Sequence, residues 1–312
     1  MVQTKEIQYK GFGKCIEISN GRASVTVTVD VGPRVIACSV PGRPNLMWND
    51  DALVFSQDVS SAFGEGKTWY IYGGHRMWIS PEDMPLSYYP DNDPVKYHTT
   101  ASGAVFQPPK QEVTGLAETI EIRMDDSRPF FDVIHTMENG SDRPKTGAIW
   151  CLTVTDKGGM VIVPQAREDT ALLSNRLIAL WPYTRLTDSR AFFGDDYITL
   201  RQDASVKEKF KVGVNNTSGW MAYLNHGQML IKSFAPEYHD GVYPDWGCDN
   251  EIFTNEHFLE AESLSPMYDM EPGQSISHTE RWTLADGVVF PNEDNASLER
   301  FVETNVKALL NP

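Results

Sequence analysis

Asn255-Glu-His-Phe-Leu-Glu-Ala-Glu-Ser-Leu-Ser-Pro266 reads as a β-strand stopped by a proline. Side chains two apart on a strand share a face, so Glu256, Phe258, Glu260, Glu262 and Leu264 point one way and His257, Leu259, Ala261 and Ser263 the other. Same-face neighbours sit roughly 7 Å apart, near enough for like charges to raise one carboxylate's pKa toward a general acid or base value. A solvated edge strand carries the same charged face with no chemistry attached. Spacing alone leaves both readings open.

Outward from that stretch the chain keeps a period of two. After the turn Ser19-Asn-Gly-Arg22, the run Ala23-Ser-Val-Thr-Val-Thr-Val29 sets Val25, Val27 and Val29 on a buried face and Ser24, Thr26 and Thr28 on a solvated one. Gly32-Pro-Arg34 leads into residues 35–40, with Arg34 read as an anchor of the turn. Further strands are expected at 118–124, 130–138, 147–155, 159–163, 197–201, 219–224, 228–234 and 277–284, punctuated by turns such as Asn139-Gly140 and Asn225-His-Gly227. Helical spacing recurs at the C-terminus, where Leu298, Phe301, Val302, Val306, Leu309 and Leu310 follow a cap in Asp294-Asn-Ala-Ser297. No repeat, low-complexity tract or linker divides the chain. The expectation is a single all-β domain over residues 1–312 with a C-terminal helix.

Composition excludes some partners. A net charge of −16 over 312 residues opposes a phosphate backbone, so no nucleic acid is expected. Cys15, Cys38, Cys151 and Cys248 are far apart with no Cys-x-x-Cys, which fits free thiols in a reducing compartment. The N-terminus has no apolar signal region and no stretch approaches a membrane span, so a soluble cytoplasmic protein without a membrane partner is expected. Eight Trp, twelve Tyr and fourteen Phe supply rings for a core or for stacking on a ligand.

Gly73-Gly-His-Arg-Met-Trp78 joins a glycine pair, which permits positive φ and close backbone approach, to an imidazole, a guanidinium and an indole. These are the parts of a clamp for a polar ligand, and equally of a tight turn with a buried Trp and a satisfied His. Glu82 follows as a partner for Arg76. Residues 83–98 hold Pro85, Pro90 and Pro94 with Tyr88, Tyr89, Tyr97 and His98, so a long aromatic loop is expected to cover a cleft or pack on a sheet edge. Lys232 is a cation for an anionic substrate, or an ordinary ion-pair residue.

Taken together, Val31-Gly-Pro-Arg-Val-Ile36, Gly73 to Glu82, Glu138-Asn139, Tyr243-Pro-Asp245, Phe258 to Pro266 and Glu271-Pro-Gly-Gln274 resemble the galactose mutarotase-like superfamily, in a bacterial branch related to the aldose 1-epimerases. The resemblance implies a β-supersandwich of large antiparallel sheets with the ligand site on the concave face of one. In aldose 1-epimerases a Glu in a Leu-Glu-Thr-Gln stretch takes the proton from the anomeric hydroxyl, and a His protonates the ring oxygen. Leu259-Glu-Ala-Glu262 matches that stretch, so the resemblance carries the base role to Glu260 and a supporting or hydroxyl-binding role to Glu262. The Gly73 to Trp78 segment resembles the loop that passes over the sugar in related hexose-phosphate mutarotases, which makes His75, Arg76 and Trp78 candidate contacts; Glu82, His98, Trp150, Lys232 and Asp245 are further candidate substrate-binding residues.

One departure is chemical. The strand that carries the family's acid reads Gly147-Ala-Ile-Trp-Cys-Leu-Thr-Val154 here, with Trp150 or Cys151 in place of the His. An indole cannot protonate an oxygen, so the acid must come from elsewhere. His75, His98, His239 and His257 are available, and His75 has the best company, although Arg76 beside it tends to keep it neutral. His257-x-x-Glu260 puts its two groups on opposite strand faces, so no metal and no cofactor are expected. The expected function is an aldose epimerase-like enzyme acting on a small sugar or sugar derivative. The alternative is a non-catalytic carbohydrate-binding or sensing protein on the same fold.

Overall fold

The computed structural model describes residues 1–84, 86–236 and 241–310. Two large antiparallel sheets pack face to face. The first has eleven strands among the described residues, in the order Gln3–Gln8, Lys14–Ser19, Ser24–Thr28, Val35–Ser39, Gly74–Ser80, Lys145–Thr155, Leu259–Leu264, Asn250–Thr254, Phe210–Val214 and Ile178–Leu180, with Tyr268–Met270 paired to the start of Lys145–Thr155. The second has ten, in the order Ala191–Phe193, Tyr197–Arg201, Met160–Pro164, Trp220–Asn225, Gln228–Ser233, Ser275–Asp286, Phe130–Asn139, Leu116–Met124, Gly103–Gln107 and Lys96–Thr100. This is the galactose mutarotase-like β-supersandwich expected from the sequence. Each of the eight strands expected between residues 118 and 284 is present, with ends displaced by at most two residues.

Alternation builds the core between the sheets. Val25 and Val27 meet Phe106, Ile122, Phe131, Val161, Leu230 and Trp282 there, all with 1% exposure or less. Thr26 and Thr28 are not solvated as expected: both are buried, because a small cluster of Phe12, Cys15, Ile36 and Tyr72 covers the other face of this strand. The Thr28 hydroxyl meets the cost of burial by donating to the Val31 carbonyl and accepting from the Arg34 amide. Arg34 is itself buried and pairs with Asp91, which fixes the turn.

Residues 83–98 are only partly a loop. Leu86–Tyr88 forms a 3-10 turn, and Lys96 begins the edge strand of the second sheet. At the C-terminus, Asp294 caps the Asn295–Phe301 helix by accepting from the Ser297 amide, and a π turn over Val302–Val306 prolongs it. Leu298, Phe301, Val302 and Val306 pack on Met160, Ile162, Ala222, Leu224, Met229 and Ile231, the face of the second sheet turned away from the core. No helix among the described residues is long and apolar enough to cross a membrane.

Candidate functional site

On the face of the first sheet turned away from the second lies a depression with about 1290 Å³ of empty space, open to solvent on one side. Its floor follows from the period of two on adjacent strands. Trp78 lies opposite Trp150, Arg76 opposite Leu152, Leu152 opposite Glu262, and Val154 opposite Glu260. The next strands bring Glu251 opposite Glu262, Phe253 opposite Glu260, and Lys211 opposite Phe253. Trp69, Tyr88, Phe55, Phe258, Trp181 and Tyr183 form the walls.

Gly73 and Gly74 start the Arg76 strand, with φ of 93° and 66°. A Cβ on either would meet a backbone carbonyl, Trp48 O at 2.1 Å or Val35 O at 2.2 Å. Only glycine lets this strand pass so close to its neighbours.

Arg76, Lys211 and Glu260 lie on the floor, with the carboxyls of Glu251 and Glu262 buried beneath it. Arg76 is buried over Trp78, its guanidinium carbon 4.4 Å from the ring centroid, with Nη2 3.9 Å from Glu260 Oε1. The Lys211 ammonium lies 2.6 Å from Glu251 Oε2 and 3.0 Å from Glu262 Oε2, between the rings of Trp150 and Trp181. The Trp150 indole donates to Glu262 Oε2 at 2.7 Å.

Burial above all, and then the negative charge of Glu262, lift the Glu260 carboxyl to about 7 against the pull of Arg76 and Lys211. Burial draws Lys211 downward, but Glu251 and Glu262 outweigh it and hold the ammonium well above the ordinary lysine value. Burial lifts Glu251 well above the carboxylate range, with Lys211 opposing and Glu262 adding to it. One ammonium thus serves two carboxyls. Lys211 bridges Glu251 and Glu262, with the shorter contact to Glu251.

Of the residues singled out in the sequence, Arg76, Trp78, Glu82, Trp150 and Glu260 line the depression, and Glu262 lies beneath it without exposure. Glu82 accepts from the Tyr88 hydroxyl, and the Tyr88 ring packs on Trp78 and Trp69. The others lie elsewhere. His75 alternates to the opposite face of its strand, where its Nε2 is 2.7 Å from His135 Nε2 between the sheets, so it cannot serve as the acid of this site. Lys232 is buried in the same interior and paired with Glu280 at 2.9 Å. His98 is exposed on the edge strand Lys96–Thr100 of the other sheet. Asp245 sits half-buried in a loop, its carbonyl accepting from the Cys248 thiol, and does not line the depression.

The strand expected over 255–266 begins only at Leu259, because Asn255 Oδ1 accepts from the amides of His257 and Phe258 and makes a turn. Glu256 therefore leaves the shared face and pairs with His257 at 3.3 Å, while the His257 ring packs against Phe55. The third carboxyl of the site is Glu251 instead. His239 lies outside the described residues. Lys211, Glu251, Trp181, Tyr183 and Trp69 were not singled out in the sequence. The signal for Lys211 and Glu251 is a charge alternating with core residues on a short strand, in Phe-Lys-Val-Gly-Val214 and Asn-Glu-Ile-Phe-Thr254.

The fold is galactose mutarotase-like, and solved structures share its architecture. It superposes on a galactose mutarotase-like protein from Lactobacillus casei with a TM-score of 0.53 at 9% identity, covering 87% of this chain and 100% of that one. A galactose mutarotase-like protein from Clostridium acetobutylicum gives 0.53 at 11% identity, with 92% and 98% covered. A TPR-domain containing protein from Parabacteroides distasonis gives 0.61 at 12% identity over 89% of this chain, which spans only 48% of that protein. At such identities the likeness is one of fold. In sequence, the chain belongs to the family described as a domain of unknown function, DUF4380, which matches residues 94–285. No curated protein matches it.

Proposed function

We propose that the protein is a carbohydrate-active enzyme of the aldose 1-epimerase type, with Glu260 as the base that takes the proton from the anomeric hydroxyl. The observation that carries this reading is a carboxyl held at about 7 on the floor of an aromatic-lined depression. The same residue occupies the position that resembles the Leu-Glu base of the aldose 1-epimerases. Partly exposed rings of Phe55, Trp181 and Tyr183 in the walls suit the apolar faces of a pyranose.

In this scheme Glu260 removes the hydroxyl proton, the C1–O5 bond breaks as the C1 carbonyl forms, and the electron pair passes to O5. That oxygen needs a proton. Among the described residues lining the depression there is no imidazole, and a guanidinium does not give up its proton. Tyr88, Tyr183, Lys209 and Lys211 line the depression, and of these Lys211, on the floor between Trp150 and Trp181, is assigned as the donor to O5 and takes the same proton back on ring closure. Rotation of the carbonyl and reversal of the steps give the other anomer with no net change in the protein. The raised lysine pKa slows this transfer, and the ammonium charge stabilises O5 as the ring opens.

The same lack of an imidazole favours a second reading, a binding or sensing protein. A thermal-shift screen of neutral sugars, sugar acids and sugar phosphates separates the two when followed by anomer-exchange NMR on every sugar that binds. Exchange above the uncatalysed rate supports the enzyme; binding with no exchange for any ligand supports the sensor.

A further inference from the structure

Directly behind the floor of the depression, four side chains of ligand type converge in the space between the sheets. His75 and Cys151 come from Gly74–Ser80 and Lys145–Thr155 in the first sheet, and His135 and Glu280 from Phe130–Asn139 and Ser275–Asp286 in the second. All four are fully buried, and one donor atom from each lies within 4.8 Å of the others.

The orientation of the imidazoles is specific. Their Nε2 atoms face each other at 2.7 Å. His135 Nδ1 is 2.9 Å from the His278 carbonyl, which can only accept, so Nδ1 carries the proton and Nε2 turns a lone pair inward. His75 Nδ1 is 2.9 Å from Thr153 Oγ1, which also accepts from the Lys232 ammonium at 2.7 Å, so a metal on His75 Nε2 requires Nδ1 to donate to that hydroxyl instead of accepting its proton. Histidines that bind metals are oriented in this way, with the outer nitrogen held by an oxygen. Glu280 has capacity left: Ser263 and Lys232 occupy Oε1, whereas Oε2 accepts only from the Trp282 indole, at 2.8 Å.

We propose that His75, His135, Cys151 and Glu280 form a structural zinc site that ties the two sheets together beneath the sugar depression. Two neutral nitrogens, a thiolate and a carboxylate give the borderline-soft, tetrahedral set that suits zinc, and four protein ligands leave no position open for substrate. With bonds of about 2.0–2.3 Å, a tetrahedral ion sets its ligand atoms roughly 3.3–3.8 Å apart. The two imidazoles therefore open by less than about 1 Å, and the widest separations close by about as much. Lys232 shares Glu280 with the ion, which weakens the site relative to one without a neighbouring ammonium.

The test uses the full chain expressed with zinc supplied in the medium and purified in metal-free buffer. Elemental analysis should find one zinc per chain, and refolding with cobalt(II) should produce a thiolate-to-cobalt charge-transfer band with tetrahedral d–d absorption. Cys151→Ala, a small apolar change at a fully buried position, should abolish the charge-transfer band while the near-UV circular dichroism stays native. If that variant does not fold, the wild-type metal content and cobalt spectrum still decide. A protein without stoichiometric metal, whose refolding yield and Tm are the same with zinc as with a chelator, overturns the proposal and leaves a closed hydrogen-bond network. Full zinc content in Cys151→Ala with an unchanged cobalt spectrum overturns it too.

Discussion

Lys211 is the residue on which the charges of the site balance. Its buried ammonium lies between Glu251 and Glu262, which are both exposed by 1% or less. Removing one partner of a buried pair leaves the other charge uncompensated, a loss of about 3–5 kcal/mol. Lys211→Met is therefore expected to lower stability by that order in chemical denaturation, leaving Glu262 with the Trp150 indole as its donor; a loss under about 1 kcal/mol, the range of a surface pair, would show that the pair is not buried in solution. Glu260 links stability to pH nearer neutrality. Folded, it keeps its proton to about 7, whereas an unfolded glutamate loses it near pH 4.3, so the unfolded state releases protons first and stability falls as pH rises through that window. Glu260→Gln should lose less stability than the wild type between about pH 5 and about pH 8. Equal pH slopes for the two proteins would mean that Glu260 titrates normally. Of this charge balance, Glu260 and Glu262 were legible in the sequence because they stand two apart on one strand. Lys211 and Glu251 were not, because their neighbourhood arises only when strands far apart in the chain pair.

Among the elements, the Gly74–Ser80 strand depends most on single residues. Gly74 combines positive φ with a Cβ position 2.2 Å from the Val35 carbonyl oxygen, so Gly74→Ala must move backbone. Its expected cost exceeds about 1 kcal/mol, and it should weaken sugar binding by displacing Arg76 and Trp78; an unchanged Tm would contradict the strain. The C-terminal helix is held by burial instead. Leu298→Ala should destabilise by about 2–5 kcal/mol through the cavity it leaves against the second sheet, measured by denaturation, and a change below about 0.5 kcal/mol would mean that the helix does not pack. That helix was legible from its cap and its three- and four-residue spacing. The five-residue strands Phe210–Val214 and Asn250–Thr254 were not, because Lys211, Gly213 and Glu251 interrupt the apolar alternation that marks a strand. His75 was misplaced for a related reason: in His-Arg-Met-Trp the residue types suggest one clamp, while the strand sends His75 and Met77 inward and Arg76 and Trp78 outward.

At the scale of the whole molecule, both faces of one sheet carry polar chemistry. The outer face holds the aromatic depression, and the inner face turns His75 and Cys151 toward His135 and Glu280 of the other sheet. The supersandwich was legible because regular alternation over long strands is a local pattern, repeated often enough to survive errors at single positions. The side on which each functional residue lies depends on register and on turns such as Asn255, which one residue can shift. The central claim is that Glu260 is the base of an anomer-interconverting enzyme. Its most direct test is the exchange rate of a bound sugar by NMR, measured across pH for the wild type and Glu260→Gln. The wild-type rate should rise with pH and level off above about 7, where Glu260 is ionised, and the variant should lose roughly 10²-fold or more in kcat with nearly unchanged binding. A Glu260→Gln protein that exchanges anomers at the wild-type rate would contradict the account.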